Sequence, residues 1–355
     1  MGPNLGPNLE ELGGWPFVLG RLMGGHDLTA VEASAALGDI LEGNATSAQI
    51  AAFAMGLRMK GETVEEMAAL VRTMLAFAEP VVVPGDADLV DTCGTGGDRS
   101  HSINVSTIAA FVVAGAGARV VKHGNRAASS KSGSADVLEA LGVAIDLGPA
   151  GVVRCVEEAG IGFCFAPRYH AASRHAIPTR RELGVPTVFN FLGPLANPAR
   201  PRRQLVGVSD PAMATKVAGV LHVNGATRAL VVYGHDGLDE LTTTTTSTIV
   251  ALAEDGSVSS SELDPRDFGL VRVAREDLQG GDAATNAELA RHVLAGAMGA
   301  HRDIVVLNAG AALVAAGRVA DLASGVAEAG AAIDDGRAEA ALAKLVSASR
   351  SAAAG

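Results

Sequence analysis

After Pro80 the sequence alternates between short apolar runs and longer Ala-rich stretches, and this alternation most constrains the fold. The apolar runs predict strands, and the stretches between them predict helices. Such alternation is typical of a mostly parallel sheet with helices on its faces. The predicted strands are 89–91, 118–122, 161–165, 204–208, 228–233, 248–253 and 303–307. The predicted helices are 106–115, 135–141, 211–223, 283–295, 309–316 and 319–346.

The residues before Pro80 have the pattern of a small all-α domain. Capping boxes, in which a Thr and a Glu or Gln three residues later bond each other's backbone amides, begin at Thr29, Thr46 and Thr63. Glycines 43 and 61 stand where the first two helices should end. We therefore expect helices over about 29–42, 46–60 and 63–78.

The chain is therefore expected to be α/β, with a small all-α domain and a large α/β domain built on a mostly parallel central sheet. The polar stretch 166–203 interrupts the alternation and is expected to return in part to the helical domain. The expected domains are 15–85 with part of 166–203, and 86–165 with 204–350. Residues 1–14 are expected to be a flexible N-terminus.

Charge and cysteine content exclude several classes of protein. The 355 residues include 28 basic and 39 acidic side chains, a net charge of −11, which argues against a nucleic-acid partner. The three cysteines, Cys93, Cys155 and Cys164, form neither a disulfide framework nor a zinc-binding spacing. No signal peptide or membrane span is evident, so a soluble cytoplasmic protein is expected.

The first candidate site is the glycine-rich loop that runs from Asp91 to Asp98 directly after a predicted strand. Glycines at 94, 96 and 97 allow backbone amides to face an anion, and such loops lie where ligands bind in α/β folds. The alternative is a plain tight turn. Because Asp98 would repel a bare phosphate, the ligand is expected to bring hydroxyls, an amine or a cation.

Two further stretches favour binding of an anion. Residues 104–107, Asn-Val-Ser-Thr, precede a predicted helix, whose N-terminal amides attract negative charge, although Ser and Thr also cap helices in any protein. Residues 122–134 hold two Lys, an Arg, a His and four Ser. This cluster matches a phosphorylated ligand better than a solvated loop, because the rest of the protein is acidic.

A third stretch, Asp239-Glu240 after the strand 228–233, offers adjacent carboxylates. Such oxygens can hold Mg²⁺ together with substrate phosphates, or they can form an ordinary acidic turn. The Thr242–Thr246 run behind them has no assignable chemistry. Arginines between 168 and 181 could bind a carboxylate.

Together these stretches favour a polyanionic, hydroxylated, Mg²⁺-associated ligand, which a sugar carrying phosphate and pyrophosphate fits. No grouping of nucleophile and base stands out. The expected chemistry is displacement of pyrophosphate at an anomeric carbon through an oxocarbenium-like state, in which positioning and charge neutralisation dominate.

Six stretches resemble anthranilate phosphoribosyltransferase, and they occur in that family's order between about 20 and 345. They are GTGGD at 94–98, NVST at 104–107, KHGNRAASSKSGSADVLEALG at 122–142, RRELG at 180–184, NFLGPLANP at 190–198 and DE at 239–240. The resemblance implies a fold like that of nucleoside phosphorylases and phosphoribosyltransferases. It also implies the second step of tryptophan biosynthesis, which converts anthranilate and phosphoribosyl pyrophosphate (PRPP), with Mg²⁺, to N-(5-phosphoribosyl)anthranilate and pyrophosphate, in a homodimer joined through the small domain.

The resemblance also implies roles for individual residues. The implied PRPP contacts are Gly94, Gly97, Asp98, Ser102, Asn104, Val105, Ser106, Thr107, Lys122, His123, Gly124, Asn125, Arg126, Ala127, Ala128, Ser129, Ser130 and Ser134. The implied anthranilate contacts are Gly94, Asn125 and Arg180, with Arg180 facing the carboxylate, and the implied Mg²⁺ ligands are Ser106, Asp239 and Glu240. Lys122, Asn125 and Arg180 would act by positioning, and His123, Tyr169 and His170 would line the route of the aromatic substrate.

Two alternatives stay open. A pyrimidine-nucleoside phosphorylase would share the fold, but the stretch KHGNRAASS at 122–130 argues against it. A non-catalytic relative that binds nucleic acid would need a basic surface. Arg99 and Ile103 depart from residues that the family often has, which leaves the local loop geometry open.

Overall fold

The structure, a computed structural model, describes residues 3, 6–85, 88–98, 100–127 and 131–354. In this part of the chain a small helical domain packs on a larger α/β domain with a mostly parallel sheet, which confirms the predicted fold class. None of the helices in the described ranges is long and apolar enough to cross a membrane.

The small domain begins with four helices, three of which the capping boxes predict. The helices are α1 (Gly14–Met23), α2 (Ala30–Glu42), α3 (Ser47–Lys60) and α4 (Val64–Ala76). Each predicted Thr accepts a hydrogen bond from the backbone N–H three residues later, and the Glu or Gln side chain there bonds back. Gly43 and Gly61 end α2 and α3 with φ of 83° and 88°, a region that favours glycine.

The N-terminal segment that was expected to be flexible is ordered from Leu9 onwards. Leu9 is buried, Glu10–Leu12 form a 3₁₀ turn, and α1 follows directly. Trp15 anchors this segment, because its indole N–H donates to Asp39 of α2 over 2.7 Å. Buried apolar side chains therefore order a stretch that its Gly and Pro content made look mobile.

The large domain is built on a seven-stranded sheet in the order β3-β2-β1-β4-β5-β6-β7. The strands are β1 (Leu89–Gly94), β2 (Arg119–Gly124), β3 (Ile161–Phe165), β4 (Arg203–Gly207), β5 (Arg228–Gly234), β6 (Ser247–Leu252) and β7 (Val258–Leu263). The first five strands in chain order run parallel, and β6 and β7 are antiparallel additions at one edge. Sequence analysis did not predict β7, whose mostly exposed Ser-rich residues have no apolar pattern.

The remaining helices cover both faces of the sheet. They are α5 (Val105–Gly115), α6 (Ser134–Leu141), α7 (Pro149–Ala159), α8 (Ala166–Tyr169), α9 (Ile177–Leu183), α10 (Val188–Leu195), α11 (Ala214–Val223), α12 (Ala283–Leu294), α13 (Ala300–Ala315), α14 (Leu322–Asp334) and α15 (Arg337–Ala353). Successive side chains of a strand point to opposite faces of the sheet, because the strand is pleated. Leu205 packs with the apolar cluster that contains α5 and α13, whereas Val206 packs with the cluster that contains α1–α4.

The predicted strand 303–307 is wrong, because these residues lie in the middle of α13. Its β-branched residues Ile304, Val305 and Val306 are buried as part of a helix that is enclosed on nearly every side. Gly310 brings α13 against Gly325 of α14 so closely that an added Cβ would lie 2.7 Å from the Val326 backbone nitrogen. The single predicted helix 319–346 is likewise two helices, α14 and α15.

Part of the stretch 166–203 packs with the helical domain. Ala176, Val188, Phe191 and Leu192 share one buried apolar cluster with residues of α1–α4. On this packing we propose that the small domain is discontinuous, comprising 15–85 and part of 166–203.

Candidate functional site

The candidate site lies where the sheet changes its winding direction. The chain goes from β1 to β2 on one side and later returns to β4 on the other side of β1. Ligands of α/β folds bind in the crevice that such a reversal creates at the carboxyl ends of the strands. The glycine loop (91–98) lies at the end of β1, and the Lys/Ser loop (122–134) lies at the end of β2. The Asp239-Glu240 turn, called the acidic turn below, follows β5. The fold therefore brings three predicted stretches to this edge.

The glycine loop and the acidic turn are in direct contact. The Gly96 backbone N–H donates to Asp239 Oδ2 over 2.7 Å, and Gly96 and Gly97 have φ of 65° and 83°. A Cβ at Gly94 would collide with the Asp239 carboxylate, and one at Gly207 would collide with the Asp239 carbonyl oxygen. Glycine at 94 and 207 therefore allows the carboxylate to approach the loop.

Three carboxylates gather at this contact: Asp98, Asp239 and Glu240. Burial, and then the nearby charge of Asp98, raises the pKa of Asp239 to about 6. Burial, followed by the charge of Asp239, raises the pKa of Glu240 well above its usual value, although Lys122 opposes this. A cation would stabilise this cluster, and carboxylate oxygens are the donors that Mg²⁺ prefers. Within the described residues, no three acidic, His or Cys side chains are arranged to hold a metal ion by themselves, so the carboxylates fit Mg²⁺ as ligands that substrate phosphates would complete.

Lys122 and His123 are buried at the end of β2. The Lys122 ammonium donates to the Thr92 carbonyl oxygen and, over 3.3 Å, to Ser106 Oγ. Its charge also opposes the desolvation of Asp91, whose pKa burial raises to about 6. Lys122 thus acts as an internal counter-charge in the geometry observed. Burial lowers the pKa of His123 to about 3, so this imidazole is neutral, and one of its nitrogens faces the Gly193 carbonyl oxygen over 3.2 Å.

The predicted stretch 104–107 forms the first turn of α5. The Ser106 backbone N–H donates to Glu240 Oε1 over 3.2 Å, so the helix N-terminus meets a carboxylate of the acidic turn. Asn104 is held from both sides, since its amide donates to the Ser132 carbonyl oxygen and its oxygen accepts from Asn286. Val105 and Thr107 are buried, and Ser102 Oγ bonds Ser100 Oγ over 3.1 Å.

The Lys/Ser loop is closed by Asp136 on α6. The Asp136 carboxylate accepts from the backbone N–H groups of Ala127 and Gly133 over 3.0 and 2.9 Å. Arg126 is exposed and paired with Asp136 and Glu139. Gly124 lies so close to Ser134 that an added Cβ would collide with its hydroxyl.

The backbone oxygen of Asn125 also accepts from the Ser134 hydroxyl over 3.3 Å, which joins the two ends of the loop. The predicted contacts at Ala128, Ser129 and Ser130, and the departure at Arg99, lie outside the described residues.

Arg180 on α9 has the surroundings expected of a residue that binds a carboxylate. Its guanidinium lies over the Phe189 ring at 5.6 Å from the ring centroid. Burial lowers the pKa of this guanidinium. No carboxylate in the described part of the chain is paired with it. An anion supplied by a ligand would therefore satisfy a cation that the protein itself leaves unpaired.

Two aromatic residues that were expected to line the substrate route have different surroundings. His170 lies beside His123, with 5.1 Å between the centroids of the two rings. Tyr169 does not fit the expectation, because it is 1% exposed and its hydroxyl donates to the Leu147 carbonyl oxygen over 2.9 Å. Tyr169 is therefore a core residue, and its burial could not be recognised from the sequence alone.

A cavity of about 300 Å³ opens beside the glycine loop, and both domains line it. Thr95, Gly97 and Asp98 form one wall, and Asn190 and Phe191 of α10 form another. Arg180 does not itself line this cavity; its stacking partner Phe189 directly precedes the lining residue Asn190 on α10.

Several residues that hold the site were missed by sequence analysis. Asp236 accepts from the hydroxyls of Thr242 and Thr244, which accounts for part of the Thr run. Asn308 bonds the backbone of Leu241, and Asn286 bonds Asn104. The sequence shows each of these residues only as an isolated Asp or Asn, and nothing near it along the chain indicates its partner.

Family models match both domains. A model described as "Glycosyl transferase family, helical bundle domain" matches residues 17–78, and one described as "Glycosyl transferase family, a/b domain" matches residues 86–339. Among curated proteins, anthranilate phosphoribosyltransferase from Rhodococcus jostii (strain RHA1) is 56% identical over 336 residues, covering 93% of this chain and 92% of its own length. That from Roseiflexus castenholzii is 50% identical over 330 residues, covering 93% and 96%.

Solved structures agree with these relatives. Anthranilate phosphoribosyltransferase from Thermus thermophilus has a TM-score of 0.89 and 40% identity, covering 94% of this chain and 99% of its own. The Saccharomyces cerevisiae enzyme in complex with PRPP and Mg has a TM-score of 0.86 at 24% identity, covering 95% and 98%, and shares the fold. With relatives of this similarity along both domains, the chain belongs to the anthranilate phosphoribosyltransferase family.

Proposed function

We propose that this chain transfers the phosphoribosyl group of PRPP to the amine of anthranilate, with release of pyrophosphate, in the crevice between the glycine loop and the Asp239-Glu240 turn. The observation that carries the proposal is the convergence of three carboxylates, Asp98, Asp239 and Glu240, on a glycine loop next to a helix N-terminus. The backbone N–H groups of Gly96 and Ser106 orient the two carboxylates, whose remaining oxygens are the kind of ligand that Mg²⁺ prefers.

In this proposal the protein positions the reactants and stabilises charge. The glycine loop and the start of α5 would contact the phosphate groups of PRPP, and Asp239, Glu240 and Ser106 would hold the metal. Bound Mg²⁺ would neutralise the negative charge of the pyrophosphate as it leaves. The solved structure of the yeast enzyme, which shares the fold, is in complex with PRPP and Mg, which supports the choice of these two ligands.

Arg180 binds the anthranilate carboxylate and thereby orients the amine towards the anomeric carbon. Its guanidinium is desolvated and unpaired within the described residues, so binding a carboxylate would form a charge-assisted hydrogen bond at little additional ordering cost. Attack by the amine nitrogen accompanies departure of pyrophosphate through an oxocarbenium-like state. Lys122 and Asn125 contribute by holding the β2 edge of the crevice.

The proposal is tested by mixing the protein with Mg²⁺, PRPP and anthranilate and following the loss of anthranilate fluorescence. We expect fluorescence to fall only when all three are present. A stable signal at every Mg²⁺ concentration would refute the proposal. Phosphorolysis of thymidine without turnover of anthranilate would instead establish the nucleoside phosphorylase alternative.

The protein is also proposed to be a cytoplasmic homodimer that associates through its small domain. Phe17 and Met23 of α1 are 42% and 89% exposed, and Met59 of α3 is 83% exposed, so this domain presents apolar side chains that a second subunit would cover. The three free, buried cysteines fit a reducing compartment. Light scattering should give twice the chain mass, and substitution of Met23 and Met59 by Lys should halve it. A native monomer would contradict the association.

A further inference from the structure

Asn308, in the middle of α13, makes an unusual set of contacts for a helical residue. Its side chain is fully buried, and its three hydrogen bonds all go to backbone groups. Its Oδ1 accepts from the Leu241 N–H over 2.9 Å, and its Nδ2 donates to the Leu241 carbonyl oxygen over 2.8 Å and to the Ile304 carbonyl oxygen over 2.9 Å. A buried amide is costly unless it is satisfied in this way, and Leu would favour the helix more.

Leu241 directly follows Glu240, so the hydrogen bonds between the Asn308 amide and the Leu241 backbone hold one end of the acidic turn. We call this pair of bonds the Asn308 clamp. The Leu241 side chain is also fully buried, which fixes the residue at its backbone and at its side chain. Upstream, the Leu238 carbonyl oxygen accepts from the Gly234 N–H over 2.9 Å, and Asp239 is held by Gly96. Asn308 is therefore the contact that fixes the downstream end of the turn to a helix outside the crevice.

We propose that Asn308 is a positioning residue for the metal site, which keeps Glu240 and Asp239 in the geometry that binds the divalent cation. The inference rests on the proposed metal-binding role of these carboxylates. Two like charges held together tend to move apart unless the backbone is fixed. Hydrogen bonds that orient metal ligands from outside commonly alter metal affinity 10-fold to 100-fold when removed.

The test compares Asn308→Leu and Asn308→Asp with the native chain. The Leu side chain has a similar volume but leaves both backbone groups of Leu241 buried without partners. The Asp side chain keeps the acceptor for the Leu241 N–H and loses the donor. A matched control is Asn224→Leu, because Asn224 also bonds two tertiary partners, Ala68 and Arg72, but precedes β5 at the opposite edge of the sheet.

Mn²⁺ binding is measured in the presence of PRPP by the electron paramagnetic resonance signal of free Mn²⁺. We expect Asn308→Leu to weaken Mn²⁺ binding about tenfold or more, Asn308→Asp to weaken it also, and Asn224→Leu to leave it unchanged. Amide hydrogen exchange over 238–246 should accelerate in both Asn308 variants. The KM for anthranilate should stay within about twofold of native at saturating Mg²⁺.

The outcomes separate this inference from the proposed function. If Glu240→Gln weakens Mn²⁺ binding but neither Asn308 variant does, Asn308 has only a structural role and the inference is overturned. If Glu240→Gln has no effect either, the metal assignment itself is wrong and the inference falls with it. Should Asn308→Leu fail to fold, Asn308→Asp decides in the same way.

Discussion

Arg180 allows the anthranilate assignment to be tested without disturbing the rest of the crevice. Replacement by Met removes the guanidinium but keeps most of the stem that packs on Phe189. Because the guanidinium is half-buried without an acidic partner among the described residues, desolvation disfavours its charge in the free protein. We therefore expect Arg180→Met to unfold at the native temperature or above it.

The magnitude follows from the contact that is lost. A hydrogen bond to a charged group contributes about 1.5–3 kcal/mol, which corresponds to about 10-fold to 150-fold in affinity. We expect the KM for anthranilate to rise by such a factor. The affinity for PRPP should change by less than about twofold, because no ion pair joins Arg180 to the described residues of the glycine loop, α5 or the acidic turn.

The assay measures initial rates of anthranilate fluorescence loss at saturating PRPP and, separately, PRPP binding by calorimetry with Mg²⁺ present. Aniline, which lacks the carboxylate, serves as a second amine, and the native preference for anthranilate over aniline should collapse in Arg180→Met. The matched control is Arg181→Met, since Arg181 lies on the same helix and is exposed. It should behave as native in every measurement.

The reasoning would be refuted by either of two results. Equal loss of PRPP and anthranilate affinity would mean that Arg180 supports the whole crevice instead of binding one carboxylate. An unchanged anthranilate-to-aniline ratio would mean that the carboxylate is recognised elsewhere.

Three further predictions concern stability and protonation. Gly310→Ala should lower the free energy of unfolding by about 2 kcal/mol or more in a denaturant titration, because its Cβ would meet the α14 backbone, whereas Gly330→Ala on α14, where the nearest atom to the added Cβ is 3.8 Å away, should raise it by up to about 1 kcal/mol. The folded pKa of Asp91, about 6 against 3.8, favours the protonated folded state, so its contribution of up to about 3 kcal/mol is complete below pH 4 and is lost as pH rises through 6. Between pH 4 and pH 6 the unfolding temperature of Asp91→Asn should therefore fall less steeply than that of the native protein. An unchanged slope would contradict the proposed contribution of Asp91. NMR should detect no ionisation of His123 between pH 5 and 8, because its folded pKa is about 3.

Local sequence patterns predicted the structure correctly where it depends on interactions between residues a few positions apart. The three capping boxes gave α2, α3 and α4 within about two residues, because both partners of each cap lie in one turn, whereas α1, which has no such box, was missed. The loops after β1, β2 and β5 were located from glycines and charges next to apolar runs. Parallel pairing then brings their strand ends together.

The errors arose where tertiary packing overrides local preference. Residues 303–307 have the β-branched composition of a strand, but their burial between the sheet and α14 makes a helix the better solution. This error also concealed Asn308, which fell between a predicted strand and a predicted helix. Its partner Leu241 is 67 positions away, so no pattern along the chain could have indicated the clamp.

The net charge of −11 and the proposed polyanionic substrate can be reconciled from the arrangement of charges around the crevice. Arg126 is already paired with Asp136 and Glu139, and Lys122 is committed to the Thr92 carbonyl and Ser106. Against these stand three carboxylates at the acidic turn and glycine loop. The carboxylates of the acidic turn would therefore repel pyrophosphate unless a cation lay between them. In the proposed function, metal and substrate binding are then thermodynamically linked, since the cation removes the repulsion that either group of anions would otherwise feel. The acidity of the turn is what makes binding of the polyanion conditional on the metal.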